Sequence, residues 1–278
     1  MNFQHIMTEI ESKDADVYER LNTRRNAMKE FGNMAGKVLL AAAVPSLLGT
    51  MFKKAYGQGS AASLFDVLNY ALTLEYLEAE FYKQGLAASG LIPSGAAYNA
   101  IKTIGDHEAA HVKFLQTAIS ASGGTPVTSP MFDLTAGGAF ANVLSDYATF
   151  LAVAQTFEDT GVRAYKGQAA NPNLMANNDV LTAALNIHSV EARHASHIRQ
   201  MRKKNGFGNV KPWITGKDSG IGSAVQASYD GEENTNQAGI EITNINGQSI
   251  SMDAASEAFD EPLTMDQVLA IVKPFIKA

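Results

Sequence analysis

A pattern of two glutamates and one histidine, which occurs twice at the same spacing, constrains this chain more than any other feature. Each copy is a Glu-x-x-His motif preceded at a distance of 33 residues by a lone glutamate. Residues three apart share one helix face, so each motif can present a carboxylate and an imidazole to the same ion. The six candidate metal ligands are Glu75, Glu108, His111, Glu158, Glu191 and His194.

Four long segments with helical periodicity carry this pattern. Around each of the four glutamates, the residues three, four and seven positions away are mostly apolar, which predicts that the acids point inward. Short turns join the segments within each pair, and a Gly-, Ser-, Thr- and Pro-rich stretch at 123–138 separates the pairs, which predicts an all-α four-helix bundle with one long crossover. The segments run approximately over residues 61–88, 96–122, 140–170 and 174–204.

Four carboxylates buried in a bundle are too costly to remain uncompensated. Two divalent cations would balance their charge, so the pattern predicts a two-metal site. Glu78 shares the helix face of Glu75 and is the alternative ligand at that position. Glu75 is preferred because it alone preserves the repeat spacing.

Several other side chains on these helices are candidates for supporting roles. Tyr82 and Tyr165 each follow a lone glutamate by seven residues. They are candidates for hydrogen bonding to ligand carboxylates, for electron transfer or for ordinary core packing. His188 and His197 lie near the inward face of the fourth segment, where hydrogen bonding to ligands and plain packing remain open alternatives. His107 is interpreted as a surface residue.

With this ligand set, residues 60–204 resemble the ferritin-like superfamily, in particular the bacterial ferritin-like domain family with desiccation- and stress-associated members. The resemblance implies that Glu108 and Glu191 bridge two iron ions, with two manganese ions as the alternative. It also implies that Glu75 and Glu158 are terminal ligands, and that His111 and His194 bind one ion each. Carboxylate and imidazole ligands suit either metal.

The function expected from this resemblance is a ferroxidase or peroxide-scavenging reaction of the reduced metal pair with dioxygen or hydrogen peroxide, connected with stress. Three alternatives remain: a dimanganese catalase, a non-catalytic envelope or desiccation-stress protein braced by its metals, and a ferritin-type storage shell. The chain has no cysteine, which excludes disulfides and a built-in iron–thiolate relay.

The first 57 residues are predicted to be an export signal that resembles the twin-arginine type. Arg24-Arg25 precedes an apolar run over 34–52, which is broken too often for a permanent membrane span. Cleavage is expected after Gly57, with Ala61 as the second choice. The predicted location is therefore the periplasm or another exported compartment.

Residues 205–278 differ in character and are interpreted as a C-terminal extension that packs on the bundle. A small hairpin is predicted where residues 240–247 alternate and end in Asn-Gly. A short helix is predicted after the capping-box spacing of Thr264 and Gln267, with an apolar face of Val268, Leu269, Val272 and Phe275. The net charge of −6 gives no reason to expect nucleic-acid binding. The expected partner is a small oxidant, and a homo-oligomer is compatible with the sequence.

Overall fold

The computed structural model describes residues 62–277. The predicted export signal at 1–57 lies outside these residues. None of the helices within the described range is long and apolar enough to cross a bilayer.

Four long helices form the predicted bundle, and its connection pattern of short, long and short is confirmed. The first helix packs along the second and the third along the last, whereas contacts between the two pairs are sparser. A one-turn helix lies between the third and last long helices. The helices are α1 (Leu64–Ala87), α2 (Ala96–Ala121), α3 (Tyr147–Gln168), α4 (Pro172–Met175) and α5 (Asn178–Lys204).

Capping side chains explain two helix starts that the sequence pattern placed too early. The third helix was expected from residue 140 but begins at 147, because the Asp146 side chain accepts from the Thr149 N–H at 2.7 Å. Residues 134–145 form turns instead. The fourth was expected from 174. There α4 ends after one turn, and Asn177 caps a new helix by accepting from Val180 N–H at 3.2 Å.

The segment after the bundle contains the small hairpin and short helix that the sequence predicts. Asn246 and Gly247 form one hairpin turn with φ of 54° and 73°, the backbone that an Asn-Gly pair adopts most readily. Thr264 and Gln267 form the expected capping box. Leu269 departs from its predicted buried face and is 39% exposed. The elements are β1 (Asn236–Gln237), β2 (Ile240–Glu241), β3 (Asn244–Ile245), β4 (Gln248–Ser249), α6 (Met252–Ser256) and α7 (Met265–Val272), with 3-10 turns at Ser223–Ser228 and Lys273–Phe275.

Buried arginines attach this C-terminal segment to the bundle. Arg163 of α3 donates to the carbonyl oxygens of Ser228 at 2.6 Å and Asp230 at 2.8 Å. Arg202 of α5 donates to the Gly220 carbonyl at 2.8 Å. These bonds satisfy loop carbonyls that would otherwise be buried without partners. The segment covers the outer face of α3, whose residues from Phe150 to Ala164 are all buried.

Candidate metal centre

The six predicted ligands meet in the bundle interior as two clusters that share two glutamates. Within each cluster, every residue offers a ligand atom within 4.8 Å of the others. The clusters are Glu75, Glu108, His111 and Glu191, and Glu108, Glu158, Glu191 and His194. All four glutamates are fully buried at 0% exposure. One residue from each of the four long helices therefore contributes a carboxylate to one interior point.

The two oxygens of Glu108 face different clusters. Its Oε2 lies 3.1 Å from Nδ1 of His111, and its Oε1 lies 2.8 Å from Nδ1 of His194. The same His111 nitrogen is 3.2 Å from Oε2 of Glu75, while Nδ1 of His194 is 3.2 Å from Oε2 of Glu158. This arrangement gives each histidine its own terminal glutamate and places Glu108 between them.

The two tyrosines pair crosswise with the terminal glutamates. The Tyr82 hydroxyl of α1 donates to Glu158 of α3, and the Tyr165 hydroxyl of α3 donates to Glu75 of α1. Each tyrosine lies seven residues after the glutamate of its own helix but binds the glutamate of the other helix. Both contacts can form only if α1 and α3 run antiparallel across the site. Tyr82 and Tyr165 thus form hydrogen bonds with candidate ligand carboxylates, as one of the sequence-based interpretations predicts.

The unpaired oxygens of the clusters test whether cations fit. Both oxygens of Glu191 are buried and form no hydrogen bond with any described residue. Oε1 of Glu108 is also buried and, although it lies 2.8 Å from Nδ1 of His194, the geometry there makes no hydrogen bond. Burial, followed by repulsion from neighbouring carboxylates, holds the pKa values of Glu108 and Glu191 well above the usual range. Uncompensated buried charges of this kind cost several kcal/mol each. Two cations with oxygen and imidazole donors around them would relieve that cost, so the residues present fit a metal pair.

Glu78 adds a fifth buried carboxylate beside the clusters, although it belongs to neither. Its Oε1 lies 3.4 Å from the point where a side chain on Gly161 would begin, and Oε2 of Glu191 lies 3.3 Å from that same point. Gly161 therefore leaves space that both carboxylates approach. Burial, then Glu158 and Glu75, raises the pKa of Glu78 well above its ordinary value. Among the described residues, Glu75 belongs to a group that could hold a metal ion, and Glu78 does not.

The remaining histidines differ in their relation to the site. Nδ1 of His107 lies 3.0 Å from Nε2 of His194, and the two rings stack with centroids 5.2 Å apart. His107 is exposed as expected, but it also contacts a candidate ligand. His188 has its Nδ1 3.0 Å from the Val162 carbonyl oxygen. His197 is exposed, which is contrary to its expected position near the inward face.

Sequence reasoning missed the contact of His107 with the site and identified Glu78 only as the alternative to Glu75. The contact of His107 with His194 joins residues 87 positions apart, and no periodicity within one helix reveals such a pair. The position of Glu78 was visible in part, because it occupies the same helix face as Glu75. Gly161 also indicated the location of Glu78. It follows Glu158 by three residues, just as Glu78 follows Glu75 by three, so the two positions are equivalent in the repeat.

Residues 63–204 match the family model described as the ferritin-like domain. The matched range contains all six clustered residues and both tyrosines. No curated protein matches the chain.

Proposed function

The chain belongs to the ferritin-like domain family, and from that membership together with its buried site we propose that it holds two iron ions and reacts with dioxygen or hydrogen peroxide. The observation that carries this proposal is the sharing of Glu108 and Glu191 by two histidine-containing clusters. A pair of divalent ions oxidised to the trivalent state supplies two electrons, which with two protons reduce dioxygen to hydrogen peroxide or hydrogen peroxide to water.

The chain's own residues would divide the work by position. Glu108 and Glu191 would hold both ions, while Glu75 with His111 and Glu158 with His194 would each complete one side. The hydroxyls of Tyr82 and Tyr165 would fix the terminal carboxylates by donating to the oxygens that do not face the histidines. With Nδ1 of His194 given to a metal, its Nε2–H would donate to His107, which orients the ring.

The surroundings favour a small oxidant as the reaction partner. Apolar core residues flank the clustered glutamates on the same helix faces, including Leu72, Ile101 and Ile198 at 0% exposure. Such walls exclude bulk water and strengthen the electrostatic interaction between ligands and cations.

Elemental analysis and optical spectroscopy together test the proposal. The full chain is loaded with Fe(II) without oxygen, freed of excess metal, and mixed with dioxygen or hydrogen peroxide. We expect two iron ions per chain and an absorbance increase on oxidation. Rapid oxygen evolution from peroxide by manganese-loaded protein, without an added reductant, would instead identify a catalase. Metal-dependent folding with no reaction under either oxidant would leave a bracing role, and a hollow multi-chain particle would indicate storage.

We also propose that the protein is exported by the twin-arginine route and acts in a stress response outside the cytoplasm. The support is the Arg24-Arg25 pair before the apolar run at 34–52. Cell fractionation tests it: replacement of both arginines by lysine should retain the protein in the cytoplasm. Unchanged export of that variant would contradict the twin-arginine route.

A further inference from the structure

The two ends of the metal site are related by a shift of 83 residues, and they are packed differently. Adding 83 converts Glu75 to Glu158, His111 to His194 and Tyr82 to Tyr165. At the end near Tyr82, Phe81 stacks on Phe150 with ring centroids 4.6 Å apart. The equivalent positions at the end near Tyr165 hold Ala164 and Val67. Two aromatic rings are therefore replaced there by much smaller side chains.

A cavity of about 20 Å³ lies where those rings are missing, lined by Val67 and Ala164. Its lining reaches the metal site, since it includes Tyr165, whose hydroxyl donates to Glu75. Ala71 and Ile187 also line the cavity, each one helical turn before a clustered glutamate and on the same face. The cavity is thus the next layer of the bundle beyond the Glu75–His111 cluster.

The same cavity approaches the protein surface at Phe114. Phe114 belongs to the cavity lining and is 43% exposed. It lies on α2 three residues after His111, so the outer end of the cavity and the nearer cluster are one helical turn apart. A molecule that passes Phe114 therefore comes close to the Glu75–His111 side.

Size and chemistry select what this cavity can hold. A cavity needs about 10–15 Å³ of this volume to hold a water molecule, and an engineered cavity that binds benzene has roughly 150 Å³. The space therefore suits one or two very small molecules. Apart from Gln168 and two tyrosine hydroxyls, the wall is hydrocarbon. Water needs two to four polar partners to occupy such a site. A small apolar diatomic molecule needs none.

One of those hydroxyls is available to a bound molecule. Tyr70 lines the cavity, is 6% exposed, and its hydroxyl has no hydrogen-bond partner among residues 62–277. The equivalent residue at the packed end is Val153. A buried hydroxyl without a partner is costly, and a small molecule that accepts one hydrogen bond would reduce that cost.

We propose that this cavity binds dioxygen and delivers it to the Glu75–His111 cluster, an inference that rests on the function proposed above. Hydrogen peroxide, a polar molecule with two donors and four lone pairs, gains little from a hydrocarbon wall. The cavity therefore makes dioxygen the preferred oxidant at this end of the site.

Xenon tests the binding site without any metal. Crystals of the full chain under xenon pressure should show one xenon atom between Val67 and Ala164. Val67→Phe, which installs the residue found at the packed end, should remove it. Absence of xenon from the unmodified protein would overturn the cavity assignment while leaving the two-metal proposal intact.

Stopped-flow oxidation tests the delivery step in iron-loaded protein. Val67→Phe should slow the reaction with dioxygen at least tenfold and leave the reaction with hydrogen peroxide within twofold. Val127→Phe, the same exchange at a position outside the cavity lining, should change neither rate. Phe114→Ala opens the surface end without adding volume to the core, and it should accelerate the dioxygen reaction even if Val67→Phe fails to fold.

The outcomes separate the two proposals. Equal slowing with both oxidants in Val67→Phe, or an unchanged dioxygen rate in both cavity variants, would overturn the delivery role. Xenon binding by a chain that takes up no iron would overturn the proposed metal function, and the delivery role with it.

Discussion

The two helix pairs of this bundle carry the same candidate ligands in different surroundings. In α3, every residue from Phe150 to Ala164 is buried, because residues of the C-terminal segment cover its outer face. In α2, burial is limited to five separate positions along one stripe. The difference also reaches the site: the His111 side chain is 13% exposed and that of His194 is 6% exposed. The ligand pattern is repeated, whereas the shell around each copy is not.

Repetition of the ligand pattern does not require that two bound ions be equivalent. An ion at the Glu75–His111 cluster would lie beside a cavity and near solvent. An ion at the Glu158–His194 cluster would lie behind stacked phenylalanines and a second histidine. We therefore expect the two ions to differ in how readily they exchange and in how they meet an oxidant.

The largest expected effect comes from the shared glutamates. Glu108→Ala should remove both ions, because both clusters use that carboxylate, whereas Glu75→Ala should remove one. Metal content per chain, measured after loading and desalting, distinguishes these results. Glu80→Ala is the matched control, since Glu80 lies on α1 but pairs with Lys83 at the surface and should leave two ions bound. Full loading of Glu108→Ala would contradict the bridging assignment.

Core truncation at the two ends should give unequal losses of stability. Phe150→Ala removes a ring stacked on Phe81 and should lower the free energy of unfolding by about 3–5 kcal/mol. Val67→Ala at the equivalent position should cost only about 1–2 kcal/mol, at about 0.8 kcal/mol for each methyl removed. Denaturant unfolding of the metal-free variants measures both. Equal losses would indicate that the two ends are packed alike.

The contact of the C-terminal segment with α3 should add a pH dependence of its own to the stability of the protein. Glu232 lies 2.7 Å from Nε of Arg163, and burial, partly offset by Arg163, raises its pKa to about 7. Because the folded protein binds this proton more tightly than the unfolded chain, the contribution is complete below about pH 4 and is lost as the pH rises through 7. The loss amounts to about 3 kcal/mol.

Glu232→Gln tests this pH effect, because glutamine keeps the shape of the protonated carboxyl at every pH. Its unfolding free energy, compared with that of the unmodified chain from pH 4 to 8, should fall less steeply. Parallel profiles would show that Glu232 does not titrate in this range. The position equivalent to Arg163 in α1 is Glu80. We therefore expect no counterpart of the Arg163–Glu232 ion pair at that position.

The smallest effect is expected at His107. His107→Val installs the residue that stands at the equivalent position, Val190, and removes the contact with Nε2 of His194. Affinity for the ion on that side should fall by about tenfold, the lower end for loss of a hydrogen bond behind a metal ligand. Competition with a chelator of known affinity measures it. A loss of affinity for the ion on the His111 side instead would contradict this prediction.

The fold and the convergence of the six side chains were predictable because both follow from regular spacings along the sequence. A three-residue spacing defines a helix face, and the 33-residue separation fixes how the helices of each pair align. The crossed tyrosines were less accessible, since Tyr82 and Tyr165 bind glutamates on opposite helices. The late start of α3 at Tyr147 could not be predicted, because residues from 140 on have the apolar spacing that is typical of a helix. The helix begins at Tyr147 because the Asp146 side chain caps its N-terminus.

The surroundings of the site depend on long-range packing and could not be predicted from periodicity. Arg163 is 1% exposed, although a charged residue inside a helix is usually read as solvated. Its partners lie 65 and more positions away in loops. The cavity arises from the joint effect of Val67 and Ala164 on two different helices. Neither residue is unusual by itself.

The crossed tyrosines have a consequence for how such a site can come into being. Each half of the repeat donates the hydroxyl that the other half's terminal carboxylate accepts, and both clusters draw on Glu108 and Glu191. A shorter chain with one helix pair would contain only one of the two partners in each of these interactions. It could assemble the centre only by docking with a second copy of itself, so fusion of two such units into one polypeptide would turn an intermolecular event into a unimolecular one.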